Sequence, residues 1–179
     1  VLGSNYRLTE FQAALLACQF VRLEEQTITR DANGAWLDAQ LARIPGIRPL
    51  ARRPGRPRHA YHLYVFRYDE DAFDGVPRAR FLEALRAEGV MSYAGYTVPL
   101  YKQEFLTRKW FGPYTGYRHT RPDLDYTTVS CPVCERICEK EGCWIPQNVL
   151  LGTRDDMNDI ARAIAKIYEN RAELRATTG

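Results

Sequence analysis

The sequence has 179 residues, of which 45% are hydrophobic and 26% are charged, and its formal net charge is +3 at pH 7. This balance is typical of a globular domain with a hydrophobic core. An uninterrupted apolar run of about 18 residues is missing, which excludes a membrane-spanning helix in this chain. Nucleic-acid-binding proteins normally show a larger and more clustered basic excess, so the charge does not indicate such a partner.

The first predicted element is a long helix that begins after Thr9. Thr9 and Gln12 have the spacing of a capping box. Apolar side chains then recur at helical spacing on two adjacent faces, at Leu8, Phe11, Leu15, Leu16, Cys18, Phe20 and Leu23. A terminal helix with two apolar faces indicates a missing neighbour, and we expect the native protein to contain sequence before Val1. Helical character continues to Ile44, with a weak point at residues 33–34.

A basic loop at residues 52–58 follows, and the aromatic and β-branched residues of 59–68 predict a strand. Pro77 is placed to begin a helix that Gly89 ends, because proline suits a first helical turn and glycine a helix end. Residues 90–93 predict a short strand.

The second half of the chain begins with an irregular aromatic segment, residues 95–125. A helix capped by Ser130 is predicted to end near Gly142, followed by a short edge strand at 144–146. Thr153 and Asp156 predict the start of the last helix, whose apolar stripe consists of Met157, Ile160, Ile164, Ile167 and Tyr168. This order of elements predicts an α+β domain, with helices packed on a small, largely antiparallel sheet and preceded by a long helix.

Five cysteines occur, and four of them fall within thirteen residues: Cys131, Cys134, Cys138 and Cys143. The odd total does not fit a disulfide scaffold and favours a reducing cytoplasm. Four thiolates are able to bind zinc or an iron–sulfur cluster, so a metal-binding module is one hypothesis. The first three also have the spacing of one helix face, which favours a buried apolar surface instead.

The basic loop contains Arg52, Arg53, Arg56 and Arg58. Guanidinium groups match phosphate oxygens, so the loop is either a phosphate clamp, for example for a nucleotide diphosphate, or a solvated surface. A nucleic-acid interaction is a third interpretation of the same residues. His59 and His62 lie on opposite faces of the predicted strand without a nearby nucleophile pattern, so no catalytic residue is assigned.

Several ordered segments resemble the DegT/StrS family of sugar aminotransferases. Residues 3–14 (GSNYRLTEFQAA) are similar to the family's G-x-N-[YF]-R-[ML]-[ST]-[ED]-x-Q-A-A segment, and residues 59–64 (HAYHLY) to its H-x-Y-H-L-Y strand. The loop at 95–105 resembles its G-x-x-x-P-L-[HY]-x-x-x-x-F pattern. Further similarity is found at residues 131–136, 144–147 and 156–164. The resemblance therefore extends over nearly the whole chain.

The resemblance implies a fold-type I enzyme that depends on pyridoxal 5'-phosphate. It implies that residues 45–179 form the small C-terminal domain and that residues 1–44 form an inter-domain and dimer-interface arm. The family's Schiff-base lysine lies in an S-x-H-x-x-K context, which none of Lys102, Lys109, Lys140 and Lys166 matches. We therefore expect this chain alone to be inactive and not to retain the cofactor.

The implied reaction transfers an amino group from glutamate or glutamine to a nucleotide-linked keto-sugar or a cyclitol, in a cytoplasmic homodimer without nucleic-acid or membrane partners. By resemblance, Asn5 reaches the cofactor phosphate of the neighbouring subunit, and Arg7 adds charge there or forms an interface ion pair. His62 and Tyr96 fall where the family approaches its substrate. Relatives place a small residue such as alanine at the position of Cys134, which favours a buried Cys134 over a metal ligand.

Overall fold

The computed structural model describes residues 6–55, 58–109 and 123–176. It consists of helices and three short strands, with β1 and β2 after the first two helices and β3 before the last two. The helices are α1 (Glu10–Phe20), α2 (Leu23–Leu41), α3 (Arg78–Ala87), α4 (Glu104–Thr107), α5 (Pro132–Arg136), α6 (Arg154–Glu169) and α7 (Arg171–Ala176). Among the described residues, no helix combines the length and the apolarity needed to cross a bilayer.

Three antiparallel strands form one sheet in the order β1 (Ile47–Pro49), β2 (Leu63–Tyr68) and β3 (Gly142–Pro146). Ile47 pairs with Tyr68, and Phe66 pairs with Cys143. Side chains alternate along β2, because successive residues of a strand point to opposite faces. One face is buried and the other is partly open. The predicted α+β architecture is confirmed.

The core lies between the buried face of the sheet and helices α2, α3 and α6. An aromatic cluster forms its centre, where the ring of Tyr68 stacks on Phe81 at a centroid distance of 4.5 Å and Phe73 packs against both. The predicted stripe of α6 is confirmed, since Met157, Ile160, Ile164 and Ile167 are buried and Tyr168 is partly buried. The expected capping box at Thr153 is also present.

Helix α1 has the predicted capping box at Thr9 but no buried residue. Its large apolar side chains are open to solvent, with Phe11 86% and Phe20 74% exposed. Among the residues that the structure describes, no element covers the two apolar faces of α1.

The predicted weak point at residues 33–34 is wrong, because α2 runs through it without interruption and the break occurs instead between α1 and α2. The side-chain amide of Asn33 donates to the carbonyl oxygens of Leu150 (2.9 Å) and Gly152 (2.8 Å). Asn33 and Gly34 disfavour an isolated helix, but contacts with residues distant in sequence hold them in α2.

Three other boundaries differ from the expectation. β2 begins at Leu63 instead of residue 59, because Tyr61 has a left-handed backbone with φ 50°. Residues 90–93 contribute only a bridge between Tyr93 and Trp144. The helix near residue 130 is capped by Cys131, not Ser130, and continues as one π-helical turn at Ile137–Glu141.

The expectation of a buried cysteine face is wrong for this chain. Cys131 and Cys134 are exposed and Cys138 is half-buried, whereas Cys143 lies in the core. These cysteines do have helical spacing, but the described part of the chain places no element over Cys131 and Cys134. Cys143 alone is buried because it lies in β3, where it pairs with Phe66.

Candidate functional site

The segment before β2 is fixed by a buried arginine of α2. Arg30 is 6% exposed, and its guanidinium donates to the carbonyl oxygen of Ala60 (3.2 Å) and to Oε1 of Gln147 (3.0 Å). It thereby joins α2, the residues before β2 and the residues after β3. Hydrogen bonds from a charged donor are stronger than neutral ones, so Arg30 sets the position from which β2 starts.

Tyr61 turns inward at this point and His62 turns outward. The Tyr61 ring is 8% exposed and packs at a centroid distance of 4.1 Å from the His59 ring, while the Tyr61 backbone N–H donates to Nδ1 of His59. A left-handed backbone is costly for a large side chain and persists only where surrounding contacts determine it. The consequence is that His62 is exposed directly beside the first pair of β2 and β3.

Gly34 makes this arrangement possible. A Cβ atom at this position would lie 2.4 Å from the Tyr61 hydroxyl oxygen. Glycine to alanine inside a helix normally stabilises a protein by about 0.5–1 kcal/mol. We expect Gly34→Ala instead to lower the free energy of unfolding by about 1–3 kcal/mol, because the Tyr61 ring is overpacked. Urea unfolding measures the difference.

The matched control for that substitution is the same change in a Tyr61→Leu background. The shorter side chain removes the ring atoms that the added Cβ atom would meet, so the penalty should disappear there. An equal penalty in both backgrounds would contradict the explanation through Tyr61.

Tyr96 lies on the open face of the sheet, against Trp144 of β3. Its ring meets the indole edge-on at a centroid distance of 4.9 Å, and the Tyr96 side chain is 75% exposed. Gly95 allows this close approach, because its φ is 70° and a Cβ there would lie 2.4 Å from Cε2 of Trp144. Hydrogen bonds between Tyr93 and Trp144, of 2.9 and 2.8 Å, attach the same segment to the edge of β3.

His62 and Tyr96 thus both lie next to the paired strands β2 and β3. His62 directly precedes Leu63, which pairs with Pro146, and Tyr96 packs on Trp144, which pairs with Val65. Both side chains are exposed. Arg7 is exposed in the extended residues before α1, and Asn5 lies outside the described residues.

A polar latch connects the aromatic segment to α5. The Tyr101 hydroxyl donates to Oε1 of Glu135, the Cys131 backbone N–H donates to both, and the Lys102 ammonium lies 3.1 Å from Oε2 of Glu135. The hydrogen bond from the Tyr101 hydroxyl lowers the pKa of the Glu135 carboxyl most, and the hydrogen bonds from Lys102 and from the Cys131 backbone lower it further. Glu135 therefore stays ionised and holds the segment at residues 100–102 in place.

The positive charge of the arginine-rich loop, residues 52–58, is partly neutralised by ion pairs with acidic side chains of the same chain. Arg52 forms ion pairs with Asp31 (2.8 Å) and Asp38 (3.2 Å) and donates to the Tyr61 hydroxyl (2.7 Å). Arg58 pairs with Glu24. In the described residues Arg53 is left without such a partner, and Arg56 lies outside them. The loop lines a pocket of about 420 Å³. Because Arg52 is already bound to Asp31, Asp38 and Tyr61, the hypothesis that the loop binds a phosphate is weakened.

Within residues 6–55, 58–109 and 123–176, no group of three or more His, Cys, Asp or Glu side chains is placed to hold a metal ion. The metal-binding alternative built on Cys131, Cys134, Cys138 and Cys143 thus gains no support from the structure. Cys143 is buried, whereas Cys131 and Cys134 are exposed.

A model of the DegT/DnrJ/EryC1/StrS aminotransferase family matches residues 1–165. The chain belongs to this family. The resemblance of the sequence segments is thereby confirmed, and the match includes His62 and Tyr96.

Among curated family members, the chain is 36% identical over 179 residues to the L-glutamine:2-deoxy-scyllo-inosose aminotransferase of Streptoalloteichus tenebrarius, covering 98% of this chain and 41% of that protein. It is also 36% identical over 179 residues to the enzyme of the same name from Micromonospora echinospora, covering 98% and 40%. The chain therefore spans about two fifths of the length of the relatives it matches.

Solved structures show the same fold. The chain superposes on 3-amino-5-hydroxybenzoic acid synthase with a TM-score of 0.70 at 24% identity, covering 93% of this chain and 40% of that one. It superposes on DesV of S. venezuelae with a TM-score of 0.68 at 21% identity, covering 94% and 39%. At these identities the likeness establishes the fold alone.

The family segments also contain positions to which sequence reasoning assigned no role. Tyr101 and Glu135 belong to two separate segments that the structure joins in one latch, and Gln147 belongs to a third that Arg30 holds. Arg30 itself lies in a polar stretch of α2 without any family motif. A pattern read along the chain contained no signal for these pairs, because their members are far apart in sequence.

Proposed function

We propose that this chain is part of a pyridoxal-phosphate-dependent aminotransferase that transfers the amino group of L-glutamine to the ketone carbon of a cyclitol. The likeness to cyclitol aminotransferases along almost the entire chain carries this proposal. Glutamate as the donor and a nucleotide-linked keto-sugar as the acceptor are the alternatives within the same reaction class.

The cofactor supplies the electron sink for the bond changes at the amino-bearing carbon, while the protein binds and orients it. The donor groups of this chain fit its phosphate: Asn5 has an amide N–H₂ group, and Arg7 has an exposed guanidinium without a hydrogen bond or ion pair to the described residues. We propose that both donate to the phosphate, Asn5 across the interface of a homodimer. The reactive lysine is proposed to lie in the part of the enzyme beyond this chain.

We propose a division into an arm, residues 1–44, and a small domain, residues 45–179. The uncovered side chains support the arm only over α1, because Leu37 and Leu41 of α2 lie in the core of the small domain. Phe11, Leu15 and Phe20 are exposed by 86%, 68% and 74%. We propose that the remaining part of the enzyme and the second subunit cover them. The five free thiols support the proposed cytoplasmic setting.

Reconstitution of the full-length enzyme tests the function. With pyridoxal phosphate and L-glutamine, we expect it to convert 2-deoxy-scyllo-inosose into the corresponding amine, detected by mass spectrometry, and we expect residues 1–179 alone to convert none. Amination of a nucleotide-linked keto-sugar but not of the cyclitol would replace the proposed acceptor. Absence of amine product with either acceptor and with either donor would overturn the proposal.

His62 and Tyr96 are proposed to contact the acceptor. An imidazole and a phenol are able to hydrogen-bond the hydroxyl groups of a polyol ring. We expect Tyr96→Ala and His62→Ala to raise KM for the acceptor about tenfold, which corresponds to the loss of one hydrogen bond of about 1.4 kcal/mol. The KM for glutamine should rise less than that for the acceptor.

Met91→Ala is the matched control, because Met91 is 51% exposed and is not assigned to the site. Its KM values should equal those of the unmodified enzyme. Unchanged acceptor KM in both site variants would remove His62 and Tyr96 from the proposal without affecting the reaction class.

A further inference from the structure

The three residues before His62 are held by side chains from other parts of the chain. They precede the sheet, because β2 pairs with β3 only from Leu63 onward. Each of the three is nevertheless hydrogen-bonded to a charged side chain. These bonds join the His59 backbone N–H to Oδ1 of Asp31 (3.2 Å), the Ala60 carbonyl oxygen to Nε of Arg30 (3.2 Å) and the Tyr61 hydroxyl to Nη2 of Arg52 (2.7 Å).

Arg52 holds both α2 and Tyr61 with one guanidinium group. Its Nη1 lies 2.8 Å from Oδ1 of Asp31, and its Nε lies 3.2 Å from Oδ2 of Asp38. Its Nη2 donates to the Tyr61 hydroxyl (2.7 Å) and also to the backbone carbonyl oxygen of Asp31 (3.0 Å). A guanidinium is planar and its donors have a fixed geometry. The two carboxylates of α2 therefore determine where the Tyr61 hydroxyl is held.

The carboxylates that orient Arg52 are themselves fixed and largely shielded from water. The side chains of Asp31 and Asp38 are 19% and 21% exposed, and that of Arg52 is 39% exposed. Oδ1 of Asp38 also accepts a hydrogen bond of 2.7 Å from the Tyr64 hydroxyl, whose ring lies in the core. Partly buried ion pairs are screened less than exposed ones, so this group of contacts is able to hold a loop in place.

Tyr61 transmits the position of Arg52 to His62. The Tyr61 ring is 8% exposed although its backbone is left-handed, with φ 50°. Such a conformation persists only where surrounding contacts impose it, and the bond from Arg52 is one of these contacts. His62 follows directly in the chain, so release of the Tyr61 ring would also change the direction of the His62 side chain.

We propose that Arg52 is a positioning residue for the acceptor site: it holds the Tyr61 ring inward and thereby keeps His62 turned outward beside the first pair of β2 and β3. The inference rests on the proposed function, which assigns contact with the acceptor to His62. Arg52 itself does not need to touch the substrate in this role.

Hydrogen exchange in the full-length enzyme, followed by mass spectrometry, tests the structural step without substrate. In Arg52→Ala we expect faster exchange of the backbone amides of residues 59–62. Residues 64–68 should keep their rates, because they are paired in the sheet and contribute to the core. Unchanged rates at residues 59–62 would overturn the proposal. Faster exchange over residues 64–68 as well would show a general loss of stability and would also overturn it.

Arg48→Ala is the matched control. Arg48 also forms an ion pair with an aspartate, Asp69 at 2.9 Å, but this pair joins β1 to the residue after β2, and the Arg48 side chain is 59% exposed. An exposed ion pair contributes little to stability. Exchange at residues 59–62 should therefore equal that of the unmodified enzyme.

Steady-state kinetics tests the consequence for the acceptor. Arg52→Ala should raise KM for the acceptor by about three- to tenfold, at most the rise expected for His62→Ala, while KM for glutamine rises less. Arg48→Ala should leave both KM values unchanged. The double variant Arg52→Ala/His62→Ala should have the acceptor KM of His62→Ala alone, because the side chain that Arg52 positions is then absent.

The kinetic outcomes separate this proposal from the proposed function. If amination proceeds but Arg52→Ala leaves the acceptor KM unchanged, Arg52 is not a positioning residue. A further rise of the same size in the double variant would overturn the proposal too, since Arg52 would then act independently of His62. If the full-length enzyme aminates neither acceptor, the proposed function fails and the acceptor role fails with it, whereas hydrogen exchange still decides whether Arg52 holds residues 59–62.

Discussion

Replacement of Arg78 by methionine is expected to lower the free energy of unfolding by about 3–5 kcal/mol. The Arg78 side chain is 8% exposed and donates to carbonyl oxygens of Cys138, Glu139 and Gly142, each at 2.9 Å. Methionine fills much of the volume but donates no hydrogen bond, so several carbonyl groups lose their partner in a poorly solvated place. The whole domain is stabilised by only about 5–15 kcal/mol, so the loss should be evident in chemical unfolding.

Arg162→Met is the matched control for this substitution. Arg162 is also helical, but its side chain is 75% exposed and pairs with Asp159 on the surface of α6. Exposed ion pairs contribute about 0–1 kcal/mol, so its unfolding midpoint should hardly move. Similar losses for the two variants would show that Arg78 does not hold the end of the π-helical turn.

Substitution of Gly95 by alanine is expected to lower the free energy of unfolding by about 3–4 kcal/mol. About 1–2 kcal/mol arises from the left-handed backbone, since the φ of Gly95 is 70°. The remainder arises from overpacking, because the added Cβ would lie 2.4 Å from the indole of Trp144. The fluorescence of Trp144 should change in the folded state, because the Tyr96 ring loses its edge-on contact.

Gly89→Ala separates these two causes. Gly89 has a φ of 88°, yet an added Cβ would meet no atom within 4 Å. This control should therefore lose only about 1–2 kcal/mol, the cost of the left-handed backbone. Equal unfolding midpoints for the two variants would show that the close contact with Trp144 is not the reason why position 95 requires glycine.

Local features of the fold could be predicted because their signals lie within a few residues. Thr9 with Gln12 and Thr153 with Asp156 each form the expected capping box. The apolar period of α6 likewise predicted its buried face, and Gly89 ends α3 as expected. In each case a side chain interacts with its own turn or its own helix face, so the spacing along the chain is the physical cause.

Family membership could also be read from the sequence, but the geometry of the site could not. Two separate motifs predicted that Tyr96 and His62 belong to one site. The packing of Tyr96 on Trp144, and the burial of Tyr61 that leaves His62 exposed, depend on the tertiary structure. The same is true of the latch between Tyr101 and Glu135, which are 34 positions apart.

The sequence by itself determined the helix caps, the apolar stripes, the α+β class and the resemblance to an aminotransferase family. Tertiary structure alone decided that α2 continues through Asn33, that β2 starts only at Leu63 and that Cys134 is exposed. The reason is that each depends on the presence or absence of a distant partner: Asn33, for example, bonds Leu150, 117 positions away. Local propensity is worth a few tenths of a kcal/mol per residue, and one buried hydrogen bond or close contact outweighs it.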